Sequence, residues 1–274
     1  MESSLITTFL VVFREALEAS LIVGIILTLL AKMNQKRYFP QVIFSCILAV
    51  GASLLGGMAM VALTDSAKEE MEKLIEGGVS LAACGVLTYM IFWMDRQAKK
   101  IRTDIETRME QAISGGEYLT LMALPFLAIF REGAETVLFL YAVAIQNSGI
   151  VSLGGGFLGF FLAVAVTAAI FIGGKRIPLK PLFQTSGGLL LLIAAGLLAY
   201  GIHEFQEIGL LPEIYAPVWD INHILNEKKG VGALLKSLFG YNGNPSLLEV
   251  LSYGLYLSVI YWLLTRRKPE LRSV

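Results

Sequence analysis

Phe13-Arg14-Glu15-Ala16-Leu17-Glu18 sits inside a stretch, 5–31, that is otherwise apolar, and Phe130-Arg131-Glu132-Gly133-Ala134-Glu135 sits in the same way inside 118–145. Both stretches are long enough to cross a bilayer, which takes about 20 residues as a helix. A charged side chain at the centre of such a span costs about 2.5–3.5 kcal/mol on insertion scales. Each stretch carries one arginine and two glutamates at that depth. Glutamates at i and i+3 share one helical face, so two such helices could present four carboxylates to one another. Carboxylate oxygens in that number suit a hard cation.

The rest of the chain fits a membrane setting. Of its 274 residues, 55% are hydrophobic and 16% charged, and mean hydropathy is +0.67. That is too apolar for an ordinary soluble domain. Seven spans are expected, near 5–31, 42–63, 77–94, 118–145, 150–174, 182–202 and 247–264. The fold class is therefore an all-α membrane protein. No cleavable leader is expected, because no basic segment precedes the first span and Arg14-Glu15 interrupts it. Cys46 and Cys84 lie alone in the second and third spans and read as small packing residues.

Lysines and arginines set the orientation. Fifteen follow the first, third, fifth and seventh spans: Lys32, Lys36, Arg37, Arg96, Lys99, Lys100, Arg102, Arg108, Lys175, Arg176, Lys180, Arg266, Arg267, Lys268 and Arg272. Five lie on the other side: Lys68, Lys73, Lys228, Lys229 and Lys236. This bias predicts an N-terminus outside and a C-terminus in the cytoplasm.

A shift of 117 residues lays Phe9, Leu10, Phe13, Arg14, Glu15, Glu18 and Leu21 on Phe126, Leu127, Phe130, Arg131, Glu132, Glu135 and Leu138. A shift of 111 lays Ala83, Gly85, Leu87, Tyr89 and Ile91 on Ala194, Gly196, Leu198, Tyr200 and Ile202. One transmembrane domain, 1–274, is thus expected to hold a 3+3 repeat plus a seventh helix. Repeat A covers about 1–95, repeat B about 117–207, an outer loop 208–245 and the last helix about 246–265. The first span starts outside and the fourth inside, so the repeats would be inverted, a plan that puts transporter sites at mid-membrane. At 1.5 Å per residue both glutamate pairs fall near that depth.

The expected metal ligands are Glu15, Glu18, Glu132 and Glu135, with Arg14 and Arg131 as counter-charges. Arginine before acid at i, i+4 is the weaker order within one helix. Each arginine is therefore expected to hold a carboxylate of the other motif. The six residues sum to a formal charge of −2. Neither motif contains a thiolate or an imidazole, which disfavours Cu(I) and Zn²⁺.

The doubled Arg-Glu-x-x-Glu motif and the seven-span plan resemble the oxidase-dependent iron transporter family, and in particular its EfeU-like bacterial branch. Phe92-Trp93-Met94 and the stretch from Phe239-Gly240-Tyr241 to Pro245-Ser246 share in the likeness. Ala16-Leu17 stands where the family often has Gly-Leu. The resemblance implies an iron permease of the bacterial plasma (inner) membrane, with the motif glutamates required. It also implies Fe³⁺ (or Fe²⁺) as transported substrate and an extracytoplasmic iron oxidase or iron-binding protein as partner. Membrane lipid is the other partner. No catalytic residue, cofactor or nucleic acid is expected. Two rivals are a permease for another divalent cation such as Mn²⁺ or Pb²⁺ and a membrane di-iron oxidase. The latter class uses Glu-x-x-His pairs, and none occurs in this chain.

Outer acids offer an entry: Asp65, Glu69 and Glu76 around the start of the third span, and His203, Glu204 and Glu207 at the end of the sixth. In the outer loop, Asp220-x-x-His223 reads as a local turn and 231–239 as a short interfacial helix. Inside, 96–113 reads as an amphipathic surface helix, Pro125 as a kink, and Gly154-Gly155-Gly156 with Gly159 as a close-packing face.

Overall fold

A computed structural model describes residues 2–65, 69–97, 101–115, 118–146, 152–173, 179–227 and 229–266. Lys68, Lys99, Lys100, Lys175, Arg176, Lys228, Arg267, Lys268 and Arg272 lie outside the described residues, as do the side chains of Asp65, Glu69, Trp93, Met94, Arg96, Arg102 and Lys180.

The described residues form nine α-helices: α1 (Glu2–Lys32), α2 (Phe39–Asp65), α3 (Glu69–Gln97), α4 (Ile101–Ser114), α5 (Tyr118–Gln146), α6 (Leu153–Gly173), α7 (Leu179–Glu207), α8 (Gly230–Phe239) and α9 (Leu247–Arg266). Each of the seven expected spans falls on a helix. The main difference is α3, which begins about two turns before the expected 77, so Glu76 lies within the helix. Among the described residues, five segments are long and apolar enough to cross a membrane: Lys36–Ala62, Met71–Phe92, Leu153–Gly173, Gly187–Glu207 and Leu247–Arg266. Helices α1 and α5, with 31 and 29 residues, match them in length but carry the motif charges at mid-helix. The protein is all-α and multi-pass.

Apolar side chains cover the outside. Phe44, Ile47, Leu48, Leu54 and Leu55 of α2, Phe157 and Phe161 of α6, and Leu251 and Leu255 of α9 are all exposed. Such surfaces suit hydrocarbon, not water. The central core joins Val11 of α1, Ala83 and Leu87 of α3, Phe139 and Ala142 of α5, and Leu190, Ile193, Ala194 and Leu197 of α7. A second core ties Met109 and Ala112 of α4 to Ile26, Leu29 and Leu30 of α1, Val42 of α2 and Leu121 of α5. The amphipathic helix therefore docks on the end of the bundle by its apolar face.

Pairing directions can be read from contacts. Ser45 Oγ donates to the Met122 carbonyl, Ser53 Oγ to that of Phe130 at 3.5 Å, and Tyr141 to Thr64 Oγ1. All three step along α2 and α5 with one constant offset, so these helices are parallel. On α1 and α6, Leu5 faces Gly155, Phe9 faces Gly159, Ser20 bonds Thr167 at 2.6 Å and Gly24 faces Phe171, again in parallel. On α3 and α7, Lys73 meets Glu207 while Leu81 meets Gly201, which makes that pair antiparallel.

Glycine permits the α1–α6 approach. A Cβ at Gly159 would meet the Phe9 carbonyl oxygen at 2.7 Å and the Phe13 nitrogen at 2.9 Å, and one at Gly155 would overlap the Leu5 carbonyl. This is the small-residue packing the glycine run suggests, and it presses α6 on the backbone just before Arg14. Pro125 lies within α5 without ending it. Proline cannot donate to the carbonyl four residues back, and the Ser45 hydroxyl satisfies the neighbouring Met122 carbonyl.

Helix α8 contacts α1, α5 and α7, so it is docked in the bundle and not simply laid on a membrane surface. Its cap Gly240, at φ 66°, abuts Gly196 in the middle of α7. The segment between α7 and α9 is ordered by its own backbone: Val218 N donates to Pro245 O at 2.8 Å and Ile221 N to Gly243 O at 2.9 Å. Asp220 Oδ1 accepts from Asn222 N at 3.2 Å, the turn expected there. Cys46 and Cys84 are free and pack in different cores.

Candidate metal-transport site

Helices α1 and α5 bring the two motifs together. A carboxylate oxygen from each of Glu15, Glu132 and Glu135 lies within 4.8 Å of the others. Glu15 and Glu132 are only 1% and 2% exposed. One oxygen of each of the three is buried and accepts no hydrogen bond. Unsatisfied buried carboxylate oxygens are costly, and three acids brought together from two helices are a group that could hold a metal ion.

Glu18 lies outside that triad. It pairs with Arg14 at 2.8 Å, and Arg14 also pairs with Glu15. Arg131 pairs with Glu132 and stands 3.6 Å from Glu135. These pairs run within each motif, not across as expected. With the carboxylates converging between the helices, each guanidinium reaches the i+1 and i+4 acids of its own turn, and the i, i+4 preference of a few tenths of a kcal/mol is too small to oppose this.

The two arginines differ. The Arg14 side chain is 5% exposed and that of Arg131 is 41%. Both terminal nitrogens of Arg14 lie 3.3 Å from Met90 Sδ of α3. In sequence Met90 is one apolar helix residue among others; only the packing of α3 against α1 reveals its place beside Arg14. Gly133, at the position of Ala16 in the first motif, admits the Ser53 side chain of α2, whereas Ala16 packs against the cluster of Leu17, Leu21 and Ala163.

The expected entry residues form a second polar group where α3 begins and α7 ends. Tyr200 donates to Glu76 at 3.2 Å. Glu204 is buried beside them. Glu207 is engaged by Lys73 at 2.5 Å and by His203 at 3.3 Å, so it is less available than its terminal position suggests. Asp65 and Glu69 lie outside the described side chains. Sequence reasoning missed Glu249, which is 4% exposed and bonds His203 at 3.1 Å and Asn242 at 2.7 Å. Its spacing from Ser246 was the available signal. Ser246 N donates to Glu249 Oε1 at 3.1 Å, and Glu249 N donates to Ser246 Oγ at 3.3 Å, a capping box that starts α9.

Residues 5–265, which hold both motifs and nearly the whole helical bundle, match the iron permease FTR1 family. The chain belongs to that family. It is 33% identical to the ferrous iron permease EfeU of Yersinia pestis over 251 residues, covering 91% of this chain and 89% of the relative. It is 33% identical to that of Yersinia pseudotuberculosis serotype I (strain IP32953), covering 91% and 88%. The EfeU of Escherichia coli O6:H1 is 32% identical, with 91% of each chain covered. No solved structure matches the chain. As a member of the FTR1 family the protein is a transporter and not an enzyme, a multi-pass protein of the bacterial inner membrane whose transported substrate is iron.

Proposed function

We propose that this permease imports iron through a mid-membrane site built from its two Arg-Glu-x-x-Glu motifs. The carrying observation is the triad of Glu15, Glu132 and Glu135, which bring carboxylate oxygens within 4.8 Å of one another and each keep one buried oxygen without a hydrogen-bond partner. Iron replaces its water shell with these oxygens. Glu18 joins when the Arg14 guanidinium gives way, and release follows when an arginine reclaims the carboxylates.

The site lies between two inverted repeats in a seven-span protein, N-terminus outside and C-terminus in the cytoplasm. Helix packing supports the inversion. Exchanging α1 with α5, α2 with α6 and α3 with α7 turns the parallel α1–α6 pair into the parallel α5–α2 pair and returns α3–α7 to itself. An axis in the membrane plane requires that last pair to be antiparallel, as it is. An axis along the membrane normal would require it to be parallel. Iron enters past Glu76 and Glu204, at the end where an extracytoplasmic oxidase or iron-binding protein would deliver it.

Fe³⁺ is the form that the oxidase-dependent resemblance implies. A second reading, Fe²⁺, is favoured by the formal charge of −2 on the six motif residues, which a divalent cation neutralises. The relatives from Yersinia and Escherichia coli are themselves named ferrous iron permeases. Liposomes holding the purified protein test both readings, with Fe²⁺ kept reduced and Fe³⁺ as its citrate. Glu15→Gln and Glu132→Gln should each abolish entry of the transported form. Normal flux in both folded variants would exclude the site.

A further inference from the structure

The guanidinium of Arg14 sits where a cation would be held. Its Nη1 touches Glu15 Oε1, its Nη2 lies 2.8 Å from Glu18 Oε1, and both nitrogens lie 3.3 Å from Met90 Sδ. Two carboxylates and a thioether therefore surround one positively charged group. All three side chains are buried: Glu15 is 1%, Glu18 8% and Met90 3% exposed. The second oxygen of Glu15 is left without a donor. Under the 111-residue shift the position equivalent to Met90 is Gly201, which carries no sulfur.

We propose that Met90 is a specificity-determining ligand: when Arg14 swings away, a divalent metal takes the place of its guanidinium between Glu15, Glu18 and Met90. A thioether is a soft donor that hard cations disregard. It bonds iron well enough to serve as an axial ligand in haem proteins. Added to two carboxylates, it makes a mixed site suited to borderline and soft divalent ions, Fe²⁺ among them, over Mn²⁺. The carboxylates bring charge and the sulfur brings discrimination. This rests on the carboxylate-site reading above and assigns its selectivity.

The test uses the intact protein in liposomes. Entry of Fe²⁺ is measured under reducing, anaerobic conditions with Mn²⁺ or Cd²⁺ as competitor, for wild type, Met90→Leu, Met90→Gln and Glu15→Gln. In wild type Cd²⁺ should compete better than Mn²⁺. Met90→Leu keeps the volume and loses the sulfur. Its Cd²⁺-over-Mn²⁺ preference should fall about tenfold, the low end of what a lost supporting group costs a metal site. Met90→Gln, with an oxygen donor, should move the preference further toward Mn²⁺. An unchanged preference in a transporting Met90 variant overturns the proposal. Should both Met90 variants fail to transport, iron X-ray absorption on the wild-type protein decides: sulfur scattering supports the ligand, and its absence overturns it. Loss of flux in Glu15→Gln beside an unchanged preference in Met90→Leu would refute this inference alone. Normal flux in Glu15→Gln would refute the site beneath it.

Discussion

Replacing Glu135 by glutamine should make the metal-free protein more stable while removing its response to iron. Glu135 has oxygens within 4.8 Å of those of Glu15 and Glu132, and its own arginine, Arg131, is 3.6 Å away. At an effective dielectric of about 20, two like charges 4.8 Å apart repel by about 3.5 kcal/mol, and an opposite pair at 3.6 Å attracts by about 4.6 kcal/mol. Two repulsions outweigh one attraction by about 2 kcal/mol, and relief from burying a charge adds in the same direction. For a chain of this size that is a rise of about 5 °C in the unfolding midpoint. Glutamine keeps the shape, so packing is unchanged. The assay is thermal unfolding in detergent with and without Fe²⁺. Wild type should melt lower than Glu135→Gln in the presence of chelator and be raised by Fe²⁺ through mass action; the variant should show little further rise. A variant that melts below wild type in chelator, or is raised equally by Fe²⁺, would refute the view that the triad is strained until a cation fills it.

Other residues separate scaffold from site. Gly159→Leu should cost at least about 1–3 kcal/mol through overpacking, because its Cβ alone meets the Phe9 and Phe13 backbone, and should cut the yield of folded protein; Gly51→Ala, with open space around it, is the control. Ser246→Ala removes the α9 cap and should lower stability by about 1 kcal/mol, read by thermal unfolding, with iron affinity unchanged. Gly240→Ala forces a left-handed φ and a clash with Gly196, so it should release the α8 segment, seen as faster proteolysis between α7 and α9.

Much of this was legible in the chain. Seven apolar stretches located seven helices, because span length is fixed by bilayer thickness and needs no tertiary knowledge. The motif glutamates were legible for the opposite reason: charge in an apolar run is a local anomaly. What stayed hidden depends on which neighbour arrives. Arg14 and Arg131 occupy equivalent positions in sequence, yet one is enclosed and the other 41% exposed. Met90 looks like any apolar helix residue until α3 lies against α1. Glu249 stands as a lone acid at the start of an apolar helix and is a buried partner of His203. Helix α8 has the pattern of a surface helix, and no pattern of its own announces that Gly240 fits Gly196.

Two Arg-Glu-x-x-Glu motifs with the same charges in unequal surroundings should differ in affinity for a cation. On one side Phe13 is clamped by Gly159, Arg14 is enclosed, and a thioether faces its charge. On the other, Gly133 yields to Ser53, and Arg131 keeps much of its surface open. A symmetric site of four carboxylates would bind hard and release slowly, and conduction demands binding weak enough to leave. Inequality offers a way out. The open arginine can move at little cost in desolvation, whereas the enclosed one moves only when something replaces it between Glu15, Glu18 and Met90. In the proposed cycle the repeat supplies two acid pairs at one depth, and the departures from the repeat supply the order in which they are used.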